Sequence, residues 1–178
     1  MFASFQIYRA WAPVVSIRDL EALPWRQEHI RMFGKMIPMP RLTCWMGSKQ
    51  YKYSGVTNEP AQIPSWIAAI QAQAESLTGA RFNSVLANYY RGGSDSVSWH
   101  ADDEPELGQE PVIASVSYGD TREFRIRATD RTEQHNTFLH NRDLVVMCGD
   151  SQQNYQHCVP KTTLACGPRW NLTFRAIL

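Results

Sequence analysis

Residues 82–105 read FNSVLANYYRGGSDSVSWHADDEP, and this stretch decides the fold. VLANYY (85–90) and SVSWH (96–100) are short runs rich in β-branched and aromatic residues, while the Gly92-Gly93 pair with Ser94 and Asp95 between them is turn material. The same texture continues toward the C-terminus in VIASVSY (112–118), EFRIR (123–127), DLVVM (143–147) and RWNLTFRAIL (169–178), punctuated by YGD and CGD. Toward the N-terminus one helix is marked. Ser65 serves as its cap, Ile67, Ile70, Ala74 and Leu77 recur at helical spacing, and Gly79 stops it. Many short strands that do not alternate with helices predict a mainly β fold with supporting helices, a double-sheet jelly roll rather than a parallel α/β sheet.

Within the opening stretch, Trp99-His100-Ala101-Asp102 places His100 and Asp102 two apart at a strand end, so their side chains point the same way. One imidazole nitrogen and one carboxylate oxygen make two corners of a metal site. His157, in NYQHCVP after the DLVVM strand and the CGD turn, is the expected third ligand. Two His and one carboxylate form the facial triad of non-haem Fe(II) oxygenases. His-x-Asp also arises by chance, and a zinc hydrolase that activates water could use the same three residues. His29, His135 and His140 fall outside the site; His135 and His140 flank a polar stretch that reads as a turn.

The last run bears on this choice. Alternation sorts Arg169, Asn171, Thr173 and Arg175 onto one face and Trp170, Leu172, Phe174 and Ala176 onto the other, the core face. A polar solvent-facing side would explain Asn and Thr, but two arginines framing them fit a dicarboxylate cosubstrate whose far carboxylate needs charge-assisted hydrogen bonds. Fe²⁺, Asp102 and a dianionic 2-oxoacid leave one negative charge for a buried arginine to neutralise.

The chain of 178 residues fits one domain, 1–178, with residues 1–60 as lid and supporting elements and 61–178 as helix and jelly-roll core. Hydrophobic residues at 43% and charged residues at 20% are ordinary for a globular protein. No apolar run reaches bilayer length, and the MFASFQIYRAW start lacks the pattern of a secretory signal. Cys44, Cys148, Cys158 and Cys166 have neither CxxC spacing nor disulfide-framework density, so reduced thiols are expected. These features predict a soluble intracellular monomer, cytoplasmic in a bacterium or nuclear in a eukaryote. The net charge of +1 is unevenly spread: residues 1–55 hold eight Lys or Arg against three acids, +5, leaving −4 for the rest. A basic lobe joined to an acidic one can meet a polyanion with one face only.

PWRQ (24–27), MFGK (32–35), PRLTCW (40–45), YKYSG (51–55), the opening stretch 82–105, IASVSYGDTREFRIR (113–127), QHCVPK (156–161) and GPRWNLTFR (167–175) together resemble the AlkB family of Fe(II)/2-oxoglutarate-dependent dioxygenases, especially its alkylated-DNA and RNA repair branch. The resemblance runs through nearly the whole chain in unbroken order. It implies a double-stranded β-helix core under an N-terminal nucleotide-recognition lid, with iron on His100, Asp102 and His157. For 2-oxoglutarate it implies Asn88 and Tyr90 together with Arg169, Thr173 and Arg175, and the polar-face position of Asn171 joins them. Base recognition falls to Asp103 and to Tyr51, Lys52 and Tyr53; Trp25, Phe33, Gly34 and Lys35 match lid positions that touch nucleic acid.

The implied activity is oxidative demethylation of bases such as 1-methyladenine and 3-methylcytosine. Decarboxylation of 2-oxoglutarate with O₂ is coupled to N-methyl hydroxylation and formaldehyde release, on single- and double-stranded DNA with RNA as a further candidate. A base leaving its stack needs aromatic faces, and Trp25, Trp45, Tyr51 and Tyr53 are available, interleaved with Arg26, Arg31, Lys35, Arg41 and Lys52 for phosphates. The alternative places about half of these aromatics in the core, Trp45 first. PWRQ, PRLTCW and SVSWHADDEP look like the single-strand and RNA relative, whereas Met32-Phe33-Gly34-Lys35 looks like the wedge loop of the duplex relative. Two departures stand out: Trp170 replaces a small aliphatic residue, and the chain starts close to the first motif, so no N-terminal recruitment region is expected. Besides the zinc hydrolase, a 2-oxoglutarate dioxygenase acting on protein and a non-catalytic nucleic-acid-binding jelly roll remain alternatives.

Overall fold

A computed structural model describes residues 2–32, 34–48, 51–53, 56–58 and 60–178, with the backbone alone for Met32 and for 51–53 and 56–58. Strands are numbered β1–β14 and helices α1–α3 in chain order. The larger sheet has six strands in the order β1 (Phe5–Tyr8), β12 (Leu144–Met147), β9 (Ile113–Gly119), β14 (Arg169–Arg175), β7 (Ser84–Tyr90) and β4 (Leu42–Gly47). The smaller has four, β11 (Gln134–Leu139), β10 (Arg122–Ala128), β13 (Tyr155–Val159) and β8 (Val97–His100). All the pairings that build the two sheets are antiparallel. Two hairpins stand apart: β2 (His29–Met32) with β3 (Lys35–Pro38), and β5 (Tyr51–Tyr53) with β6 (Val56–Asn58).

The period of two sorts each strand of the larger sheet between two cores. One face sends Val85, Ala87, Val116, Leu144, Trp170, Leu172 and Phe174 into a cluster with Leu20 and with Ile67, Ile70 and Ala74. Leu20 comes from α1 (Ile17–Glu21) and the other three from α2 (Ser65–Thr78), so the helices cover this face. The other face sends Tyr90, Ile113, Val145 and Met147 against Phe124, Ile126 and Val159 of the smaller sheet. The two sheets therefore form a sandwich, which is the expected mainly β architecture. β14 lies between β9 and β7, and all seven of its residues are buried because both of its faces are covered.

The helix 65–78 forms where its apolar spacing predicts, and Gly79 ends it in the left-handed conformation at φ 72°, its N–H bonded to Glu75 O. Two details differ from expectation. Pro64 occupies the cap position, which makes Ser65 the first helical residue, and Leu77 in the last turn is 40% exposed. Within the region 1–60, β1 and β4 form the two edges of the larger sheet. The polar stretch between His135 and His140 is the strand β11 rather than a turn. Among the described residues no helix is long and apolar enough to cross a membrane.

Candidate metal centre and cosubstrate cleft

β8 and β13 are neighbours, and their register sets His100 directly opposite His157. The two imidazole centroids are 4.3 Å apart. Asp102 follows just beyond the end of β8, with Oδ1 3.9 Å from His100 Nε2. One ligand atom from each of His100, Asp102 and His157 lies within 4.8 Å of the others, a span that one ion can bridge. His140 bonds Thr121 on the surface and is no part of the cluster.

The protonation states suit a cation. His100 Nδ1 is 2.8 Å from the Ser98 carbonyl, which can only accept; the proton therefore belongs on Nδ1 and the Nε2 lone pair faces the cluster. Burial depresses the His157 pKa to about 3, with the Arg175 charge adding to it and Asp102 opposing, so its imidazole is neutral near pH 7. Burial works against ionisation of Asp102, yet the Arg175 guanidinium beside it holds the carboxyl below its ordinary range. Arg175 Nη2 donates to Asp102 Oδ1 at 2.7 Å. His157 Nδ1 is buried with no hydrogen-bond partner among the described residues. Two imidazoles and a carboxylate form a donor set that fits iron(II).

A cleft opens from this cluster between the two sheets. Asn88, Tyr90, Arg169, Asn171, Thr173 and Arg175 all line it, as their shared strand faces require. Arg169 is 2% exposed; its Nη2 donates to Ser117 Oγ at 2.9 Å, while Nε and Nη1 have no partner among the described residues. The Tyr90 ring lies 5.1 Å from the guanidinium carbon. Burial pulls the Arg169 pKa down and Arg122 adds to this, with Tyr90 opposing. A buried cation with two unused donors is a receptor for a carboxylate. Asn171 has a different part. Its Nδ2 donates to Ser115 Oγ at 2.7 Å and Val116 O at 3.1 Å, and its Oδ1 accepts from Thr173 Oγ1 at 2.9 Å and Asn88 Nδ2 at 3.4 Å. It holds the polar floor together, with no donor left over.

Arg41 is a wall residue that sequence reasoning assigned elsewhere. It reads as one more cation of the basic lobe, yet it is 6% exposed, lines the cleft and donates from Nε to Asn88 Oδ1 at 2.8 Å. Nothing in the pattern around it separates an inward arginine from an outward one.

The expected lid residues scatter. Trp25 packs on the helix-covered face, its ring 5.4 Å from Tyr89 and its indole N–H donated to Leu20 O, outside the cleft lining. Tyr89 and Asn88 are adjacent on β7 and point to opposite faces, so a side chain stacked on Tyr89 is turned away from the cavity. Tyr89 also stacks on Trp170 at 5.1 Å, which explains how the larger residue at 170 is absorbed by packing. Trp45 is buried with Leu107 and Ile177. Asp103 is exposed and does not line the cleft, although it directly follows Asp102. Gly34, at φ 77°, turns the β2–β3 hairpin, and Lys35 is exposed beside it. Phe33 lies outside the described residues, as do the side chains of Tyr51, Lys52 and Tyr53.

A two-His, one-carboxylate cluster, two of its three residues buried, in the cleft of a jelly-roll sandwich that also holds a buried arginine defines a class that the comparisons make definite. Residues 10–175 match the family model of the 2OG-Fe(II) oxygenase superfamily, and the chain belongs to that superfamily. Its chemistry uses Fe(II), 2-oxoglutarate and O₂. Within it the likeness is to AlkB homologues. The chain is 40% identical over 167 residues to mouse alpha-ketoglutarate-dependent dioxygenase alkB homolog 3, covering 87% of this chain and 58% of that protein. It is 36% identical over 185 residues to the Arabidopsis thaliana DNA oxidative demethylase ALKBH2, covering 88% of this chain and 59% of that protein. The chain thus spans under two thirds of the length of these relatives. The solved structure of OsALKBH1 matches with a TM-score of 0.72 over 98% of this chain and 99% of that one, at 18% identity, a likeness of fold.

Proposed function

We propose that the chain is an iron(II)- and 2-oxoglutarate-dependent dealkylase of nucleic-acid bases, acting on N-methyl lesions such as 1-methyladenine and 3-methylcytosine in DNA and also in RNA. The observation that carries the oxygenase reading is the buried Arg169 cation, with Nε and Nη1 unpartnered among the described residues, in the same cleft as His100, Asp102 and His157. A zinc hydrolase or a non-catalytic binding module gives that cation no work. The names of the relatives, a DNA oxidative demethylase among them, support nucleic acid over protein as the substrate.

His100, Asp102 and His157 would hold the iron, which supplies the oxidative chemistry that hydroxylates an N-methyl group and so leads to loss of formaldehyde. The chain's own residues do the rest. Arg169 holds the far carboxylate of 2-oxoglutarate, with Tyr90 and Thr173 beside it. Arg175 keeps Asp102 ionised and oriented through its 2.7 Å hydrogen bond. The exposed Asp103 favours a lesion base that carries positive charge over the normal base, which carries none. Tyr51, Tyr53 and Lys52 supply stacking and phosphate contacts, and the Phe33-Gly34-Lys35 stretch supplies the part of the lid that enters the nucleic acid.

The test is mass spectrometry on methylated single- and double-stranded oligonucleotides with Fe(II), ascorbate and 2-oxoglutarate. Loss of one methylene mass per lesion, matched by succinate and formaldehyde, is expected, and His157→Ala should abolish it in a folded protein. Succinate formed without change in any oligonucleotide would overturn the substrate assignment. Wild-type turnover by His157→Ala would overturn the ligand set.

A further inference from the structure

Asp102 lies beyond the end of β8, where no strand ladder holds its backbone. Its buried N–H is taken by a side chain: Gln152 Oε1 accepts it at 2.8 Å. An N–H can only donate, which fixes the orientation of the amide. The oxygen faces Asp102, and Nε2 turns to Ser151 Oγ at 3.0 Å and to the Met147 sulfur at 3.6 Å. Gln152 is 4% exposed and belongs to α3 (Ser151–Asn154), the turn that leads into β13 and His157. One side chain from the segment before His157 therefore grips the backbone of Asp102. The ladder between β8 and β13 aligns the two histidines but ends before the carboxylate.

We infer that Gln152 is a positioning residue for metal binding, fixing the backbone of Asp102 so that its carboxylate meets the two imidazoles. This role rests on reading His100, Asp102 and His157 as the metal centre, and it is independent of the identity of the substrate. Without the acceptor, a buried N–H must find another partner, and the loop carrying Asp102 has to move to provide one. Outer partners of metal ligands commonly change metal affinity by about 10–100-fold when removed.

The test uses metal-free protein and Mn(II) as the probe, with binding read by electron paramagnetic resonance and no turnover involved. Gln152→Leu keeps the bulk and removes the acceptor. It should weaken Mn(II) binding by about 10–100-fold while circular dichroism stays that of the folded protein, and hydrogen exchange at the Asp102 amide should speed up. Gln152→Glu retains an oxygen in place and should bind Mn(II) at least as well as wild type with the Asp102 amide still protected; this variant decides the matter if the leucine variant does not fold. Gln153→Ala, on the exposed side of the same turn, should leave both readouts unchanged. Wild-type Mn(II) affinity in a folded Gln152→Leu would overturn the role, as would a folded Gln152→Glu that has lost the metal. Absence of Mn(II) binding by the wild type would overturn the metal centre itself, and this role with it.

Discussion

Arg169 keeps its charge in a place that penalises charge, with Arg122 near enough to worsen the penalty. Such a residue persists in a fold when something anionic completes it. Replacing Arg169 with Ala should therefore remove a charge-assisted anchor worth roughly 1.5–3 kcal/mol, a loss of about 10- to 150-fold in apparent 2-oxoglutarate affinity. Metal binding should be unaffected, because the triad does not touch Arg169. A titration of succinate formation against 2-oxoglutarate measures this, and an unchanged cosubstrate requirement would remove Arg169 from the site. The sequence makes this face legible for a simple reason: two arginines framing Asn171 and Thr173 are out of character in a strand whose other face is Trp170, Leu172 and Phe174. His100 and Asp102 are legible through the same period of two, and His157 through its place after a strand and a turn. Arg41 and Gln152 are not. A polar residue turned inward by a tertiary partner, Asn88 for one and the Asp102 backbone for the other, leaves no mark in the chain around it.

The β2–β3 hairpin pairs Met32 with Lys35 at its outer end. Gly34 takes φ 77°, a conformation that costs a side-chain-bearing residue about 1–2 kcal/mol. Apart from the partly covered Ile30, the described side chains of this hairpin are exposed, Met36 among them at 62%, so it projects from the sandwich rather than packing on it. An aromatic residue in the sequence of such a finger, as Phe33 is here, can fill the gap left by a flipped base. Phe33→Ala should then cost duplex repair the stacking of one base, about 1–3 kcal/mol or roughly 5- to 150-fold in rate, and leave single-stranded repair near wild type. Equal losses on the two substrates would make Phe33 a structural residue. The strands β7 to β10, β12 and β14 are legible because they alternate or are rich in Val and Ile. β4 escapes notice since LTCWMG is covered on both faces over most of its length and shows no alternation. β11 escapes for the opposite reason: as an edge strand reading QHNTFL it keeps polar residues along its exposed side, and composition alone makes that a loop.

The whole molecule is closed by joining its first strand to a late one, and the buried carboxylate of Asp143 sits at one end of that seam. β1 pairs with β12 at the edge of the larger sheet. Just past the end of β1, Asp143 Oδ1 accepts the Ala10 N–H at 3.0 Å, while Oδ2 accepts from Arg9 Nη1 at 2.5 Å and from the His140 N–H at 2.9 Å. Burial pushes the Asp143 carboxyl up, but the two backbone donors and Arg9 outweigh it, so its pKa in the folded protein is below the usual 3.8. A carboxyl with a depressed folded pKa binds protons more readily in the unfolded chain. Its contribution to stability is therefore complete above pH 3.8 and is lost as pH falls through the lower folded value. Unfolding by urea across pH 7 to 2.5 should show Asp143→Asn less stable than wild type at neutral pH, with the gap closing below about pH 4. Asp95, Asp120 and Asp150 are depressed as well, so the variant should keep an acid limb of its own. A gap that stays constant over the whole range would mean that Asp143 serves by shape and hydrogen bonding alone. Its charge would then have no part in holding the N-terminal strand to the sandwich.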